Sequence, residues 1–175
     1  MKKVFLAFAK ANEESNKTIA GILGKLSNDD REKDRKSYYK SLSGLFNHNT
    51  GAAVYFLSLF GAAVPGNAEA QKALAPLAKM EELKGKLDEA KWKKAVSQSK
   101  IADKAVVDFV SALTDADFEA QVAISWYKGK PPSVPLWFML QQFVAHNIHH
   151  RGQISQILDS LKIDNDYSGL NIKFL

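Results

Sequence analysis

Apolar side chains at Val4, Phe8, Ala11, Ile19, Ile22 and Leu26 fall along one stripe at the roughly 100° per residue of an α-helix, predicting a first amphipathic helix from Val4 to Leu26. Asn12 lies on the flank of that stripe. Ser27, Asn28, Asp29 and Asp30 form a polar turn. A second helix is expected from about Ser37 to Ala62, closed by Pro65-Gly66, with Leu42, Leu45, Phe46, Ala52, Ala53, Phe56 and Phe60 on its buried arc. Residues 66–95 are less regular. Pro76 and Gly85 bracket a candidate short helix there, and the segment is longer than a bundle loop needs, so it is expected to cover one end in part. A third helix is read from about Val96 to Leu113, with Ala102, Val106, Phe109, Val110 and Leu113 on one side. Phe118, Val122, Ile124 and Trp126 then come in near alternation, which fits an extended arm from Phe118 to Tyr127. Lys128 to Pro132 reads as a turn, and Pro135 as the start of a fourth helix continuing to about Leu161.

Four helices with one apolar stripe each satisfy one another most simply around a shared axis. The expected architecture is therefore an all-α four-helix bundle, one domain over residues 1–175, with the long middle segment leaving room for a crossover connection. The 175 residues contain no cysteine, which excludes a disulfide scaffold, an iron-sulfur centre, a thiolate zinc site and a cysteine nucleophile. Basic residues outnumber acidic ones by 24 to 19, but most are interleaved with acids, as in Arg31, Lys33, Arg35 and Lys36 among Asp29, Asp30, Glu32 and Asp34. The densest run, Lys91, Lys93 and Lys94, reads as a solvated helix face, so no nucleic-acid partner is expected. The apolar stretch Val4 to Ala9 is too short for a secretion signal, and no run reaches the length of a membrane span. A cytoplasmic protein with no membrane partner is expected.

The chemistry is concentrated in four histidines, His48, His146, His149 and His150, all in predicted helices. His146 and His150 stand i, i+4 on one side of helix four, with Cβ atoms about 6 Å apart, whereas His149 points to a neighbouring groove or to solvent. Two neutral imidazoles one turn apart can present nitrogens to a single cation. His48, on the flank of helix two, completes three ligands if helices two and four are adjacent, and a fourth position would stay open for water or substrate. The competing reading makes each histidine a hydrogen-bonded core or boundary residue. Asn147, Arg151, Asn49 and Asn12 either orient the rings and fix a substrate carboxylate or hold the register of the core. Gln153 is placed to bond to a ligand, and Gly152 permits a close approach on the far side of the helix. Tyr55 is read as core packing or as a wall of the site; Trp126, Trp137 and Phe138 are read as helix-end or interface residues.

The run Ala145-His146-Asn147-Ile148-His149-His150-Arg151-Gly152-Gln153 resembles the fourth-helix signature of the DinB/YfiT-like family, and Leu42-Ser43-Gly44-Leu45-Phe46-Asn47-His48 is similar to its second-helix motif. The likeness extends loosely over the whole chain. It implies an up-down-down-up bundle, commonly a homodimer, with a divalent nickel or zinc ion on the residues matching His48, His146 and His150; His149 matches a motif histidine that is not a ligand. The family includes metal-dependent enzymes and thiol transferases that use bacillithiol or mycothiol, beside many members with no assigned reaction, and is distinct from the translesion polymerase that shares the DinB name. The expected activity is thus that of a hydrolase or a thiol-dependent S-transferase acting on a small molecule, with a low-molecular-weight thiol as one candidate substrate. The alternative is a noncatalytic bundle that binds a metal or a small molecule. Arg151 is expected to hold a substrate carboxylate near the metal, unless it makes a structural contact inside the bundle.

Overall fold

Six α-helices carry most of the computed structural model, which describes residues 1–124 and 132–174. They are α1 (Lys2–Leu23), α2 (Asn28–Glu32), α3 (Leu42–Ala63), α4 (Ala68–Leu74), α5 (Glu89–Ala112) and α6 (Leu136–Ser160). The chain is mostly helical, as the periodicity predicts. It is more elaborate than four helices, because α2 and α4 are additional and a short antiparallel pair, β1 (Gln121–Ala123) with β2 (Ser133–Pro135), leads into α6. Val122 is buried against the core while its neighbours are exposed, the alternation expected of the extended arm. Trp126 and Tyr127, with most of the predicted turn, lie outside the described residues.

Local chemistry explains where the long helices begin. The second predicted helix starts at Leu42 instead of Ser37 because Lys36 and Lys40 take left-handed backbone angles (φ 60° and 65°), and Ser41 then caps α3 by accepting from Gly44 N–H at 3.0 Å. The third starts at Glu89 instead of Val96, because the Asp88 side chain accepts from Lys91 N–H at 2.8 Å. Its first turns carry the lysine run: Lys91 and Lys93 are exposed, Lys94 pairs with Glu81, and Trp92 between them is buried. In the irregular middle segment, Pro76 sits inside a 3₁₀ turn (Ala75–Lys79) that continues α4, and Gly85 (φ 70°) lies in the stretch before α5.

The long helices touch in the cyclic order α1, α5, α3, α6. Phe5 at the start of α1 stacks on Phe118 just beyond α5, so α1 and α5 run antiparallel. Phe46 meets Trp92 near the starts of α3 and α5, and Phe60 stacks on Phe109 near their ends, so these two are parallel. Two apolar clusters fill the interior. One holds Phe56, Phe60, Phe109, Phe118, Leu136 and Phe143; the other holds Ile19, Leu23, Leu45, Phe46, Trp92 and Ile154. Along each helix, inward-facing residues between these clusters are polar: Asn12 and Asn16 on α1, His48 and Asn49 on α3, Ser99 and Asp103 on α5, and His146, Asn147, His150 and Arg151 on α6. Burying such groups between two oily layers costs free energy unless they find partners, so this layer is where function is to be sought. No described helix is long and apolar enough to cross a membrane.

Candidate metal centre

Helix periodicity and the pairing of α3 with α6 bring His48, His146 and His150 together, with one ring nitrogen of each lying within 4.8 Å of the others. His48 Nε2 and His146 Nε2 are 3.2 Å apart. Ligands at the usual zinc–nitrogen distance stand about 3.3 Å apart around a tetrahedral ion, and at a similar bond length about 3.0 Å apart at adjacent corners of an octahedron, so the closest pair already spans one edge of either polyhedron. Drawing the widest pair in requires a movement of about 1.5 Å, within reach of side-chain rotation.

The rings are held in the protonation state that ligation needs. Burial first, then the neighbouring His150 and His146, pushes His48 down to about 4. Burial, followed by His150 and His149, takes His146 to about 4, and burial likewise lowers His150. All three are neutral near pH 7, each with a lone pair to offer. His150 Nδ1 lies 2.7 Å from Gln153 Oε1 one turn on; with Nδ1–H donating there, Nε2 is left as the lone-pair atom. His146 Nδ1 is buried without a hydrogen-bond partner. The phenol ring of Tyr39 stacks on His48 with centroids 3.8 Å apart and meets His150 edge-on at 5.3 Å. Tyr39 reaches this position because Gly44 lets its carbonyl come close: a Cβ on Gly44 would collide with Tyr39 O.

His48 and His146 line a cleft of about 790 Å³ between α3, α6 and residues 80–83, whereas His150 is buried beneath them. Asn47 fixes the third wall by donating to Leu83 O at 3.0 Å, and Gln98 does the same to Glu81 O at 2.9 Å. Tyr55, Phe56, Met80, Gln142 and the two residues Glu81 and Glu82 also line it. A cation on the three rings therefore has an open approach from this side, unlike a closed structural site.

Other sequence-predicted residues take different places. His149 is exposed, the solvent-facing one of the two placements that its wheel position allows. Arg151 is not brought to the rings. Its guanidinium donates to Asn12 Oδ1, and it lines a separate cavity between α1 and α6, which is the structural contact inside the bundle. Asn12 Nδ2 in turn donates to Asp103 Oδ1 at 3.1 Å, and Asp103 also accepts from Asn16 at 2.7 Å and Ser99 at 3.1 Å. Burial pushes the Asp103 carboxyl up to about 7, against the pull of Asn16, Ser99 and Arg151. Asn147 Nδ2 donates to Phe143 O one turn back, and Asn49 is buried. Nothing approaches within 4 Å of a Cβ built on Gly152. Trp137 meets Phe138 edge to face near the start of α6.

Tyr39, Glu81, Glu82 and Asp103 were not identified as site or core-network residues by periodicity. Tyr39 and the two glutamates occupy irregular backbone, where spacing carries no facing information. For Asp103, the signal was available: it stands one position after the apolar Ala102, on the α5 face that meets α1.

None of the curated proteins shows significant similarity to this sequence. The pattern described as the DinB family matches residues 1–161, a span that takes in every long helix and all three clustered histidines. The chain belongs to the DinB family.

Proposed function

We propose that this chain is a cytoplasmic, homodimeric, metal-dependent enzyme that binds one divalent ion, nickel or zinc, through His48, His146 and His150, and acts on a small molecule as a hydrolase or a thiol-dependent S-transferase. The helix directions support reading the four long helices as an up-down-down-up bundle with α2, α4 and the β pair as additions. One observation carries the functional reading: three neutral imidazoles converge, and two of them, His48 and His146, line an open cleft.

When bound, the ion supplies Lewis acidity that lowers the pKa of a coordinated water or thiol and polarises the group under attack. The chain's own residues supply the rest. Gln153 fixes the His150 tautomer, and Tyr39 covers the outer face of His48 and shields it from water. Tyr55, Phe56 and Met80 offer an apolar wall to the substrate, while Gln142 and Asn47 supply amide groups at its edge. Glu81 and Glu82, paired with Lys94 and Lys84, are the carboxylate residues that line the cleft.

The test is metal analysis of the purified protein beside H48A and H150A, followed by turnover assays against esters and against electrophiles with low-molecular-weight thiols. Near-stoichiometric metal in the wild type, loss of it in both variants and metal-dependent turnover are expected. Wild-type-like occupancy in both variants would falsify the three-histidine assignment. Full occupancy without turnover on any of these substrates would leave a noncatalytic binding bundle.

A further inference from the structure

The cavity that Arg151 lines shares no residue with the metal cleft. It lies between α1 and α6, with walls formed by Phe5, Phe8, Val110, Leu140, Phe143 and Val144, and with residues 167–170 of the C-terminal segment across its mouth. Ser15 Oγ holds that segment by donating to Tyr167 O at 3.0 Å, and Tyr167 Oη donates to Arg151 O at 3.4 Å.

Arg151 is the cation of this cavity, and its charge is poorly answered. Asn12 Oδ1 is the one acceptor bonded to its side chain among the described residues, which leaves most of its five N–H donors without a protein partner. Its nearest counter-charge, Asp103, is reached only through the Asn12 amide. A largely buried guanidinium costs free energy in such surroundings unless an anion pairs with it, and its planar fork matches a carboxylate in two-point fashion. Most of the remaining wall is apolar, with Asn12, Ser15, Tyr167 and Ser168 as its other polar residues. The free volume is about 60 Å³. With about 10–15 Å³ needed for one water, that space suits a ligand of roughly four to six non-hydrogen atoms.

We infer that the α1–α6 cavity is a second binding site, separate from the metal centre, for a short aliphatic carboxylate whose head pairs with Arg151 and whose chain lies against Phe8, Val110 and Leu140. The apolar walls discriminate against phosphate and other compact, fully hydrated anions, and the lone guanidinium discriminates against neutral and cationic molecules of equal size.

The experiment uses the full chain stripped of metal with a chelator, so that a carboxylate has no ion to bind. Butyrate, n-butanol and n-butylamine are titrated by calorimetry and by ligand-observed NMR, on the wild type and on R151Q, V144F and H48A. Butyrate is expected to bind at least tenfold more tightly than either analogue. Its affinity should fall at least tenfold in R151Q, disappear in V144F, whose added ring fills the cavity while the Arg151–Asn12 contact remains, and persist in H48A. V144F tests the cavity even where R151Q fails to fold. Butyrate binding that is absent from the wild type, matched by butanol, unchanged in V144F or lost in H48A overturns the inference.

Discussion

Replacing Gln153 with alanine removes the acceptor 2.7 Å from His150 Nδ1 while keeping all three histidines. Loss of such an outer partner typically weakens metal binding about 10–100-fold, because the ring loses both its fixed tautomer and its orientation. The effect can be read as stability. At a free metal concentration of 100 times the wild-type Kd, binding stabilises the fold by about 2.7 kcal/mol. A tenfold weaker variant retains about 1.4 kcal/mol and a hundredfold weaker one about 0.4 kcal/mol, so the loss is about 1.3–2.3 kcal/mol. At about 2–4 °C per kcal/mol for a chain of this size, the metal-induced rise in Tm should be smaller by about 3–9 °C in Q153A. The assay is thermal unfolding with and without zinc or nickel, supported by competition against a chromophoric chelator. The metal-free Tm values should nearly coincide, since Gln153 is only half-buried. An identical metal-induced rise in both proteins would show that Gln153 does not set the His150 tautomer.

Gly44→Ala forces the Tyr39 carbonyl and the start of α3 apart; urea unfolding should show a loss of about 1–3 kcal/mol, and an unchanged midpoint would contradict the close approach. Arg31 is buried over Trp92, donates to Leu26 O at 2.5 Å and pairs with the exposed Glu89, so R31A should cost about 1–3 kcal/mol by the same measurement through lost packing and hydrogen bonds, with a loss under about 0.5 kcal/mol refuting that role. For pH, the depressed His48 and His146 bind protons more readily in the unfolded chain, so their contribution is present above about 6.5 and is lost as pH falls towards about 4. Asp103, raised to about 7, acts in the opposite sense: its contribution is full below its ordinary value of 3.8 and declines as pH rises to about 7. In metal-free protein between pH 4.5 and 6.5, D103N should therefore steepen the rise of stability with pH by up to about 1.4 kcal/mol per unit, and an unaltered slope would show that Asp103 keeps an ordinary pKa.

The three-histidine cluster was legible where regular geometry carries the information. The i, i+4 spacing of His146 and His150 fixes their common side whatever else the chain does, and His48 is legible because it lies on an apolar helix that must pack against a neighbour. Arg151 was not legible in the same way, because a long side chain at the boundary of a helix arc can turn to either neighbour; the Asn12 amide on α1 that accepts from it is held in turn by a buried acid on α5, far off in sequence. Arg31 looked like one of many interleaved surface charges, yet it is buried beyond the end of α1, a placement that depends on Trp92 and Glu89 arriving from α5. The short helices and the β pair were legible only in part, because segments of a few residues have too little periodicity to register.

The three rings come from stretches of chain nearly a hundred positions apart, His48 and His146 being separated by 98. An ion shared between them would tie α3 to α6 and enclose the whole intervening chain in one loop, much as a covalent cross-link would. During synthesis, a nascent chain carries a single ligand until α6 has emerged and docked. On the proposed metal binding, capture of the ion would then be among the last events of maturation, and a copy cut short before α6 would have no means of withdrawing metal from the cell's supply through this cluster.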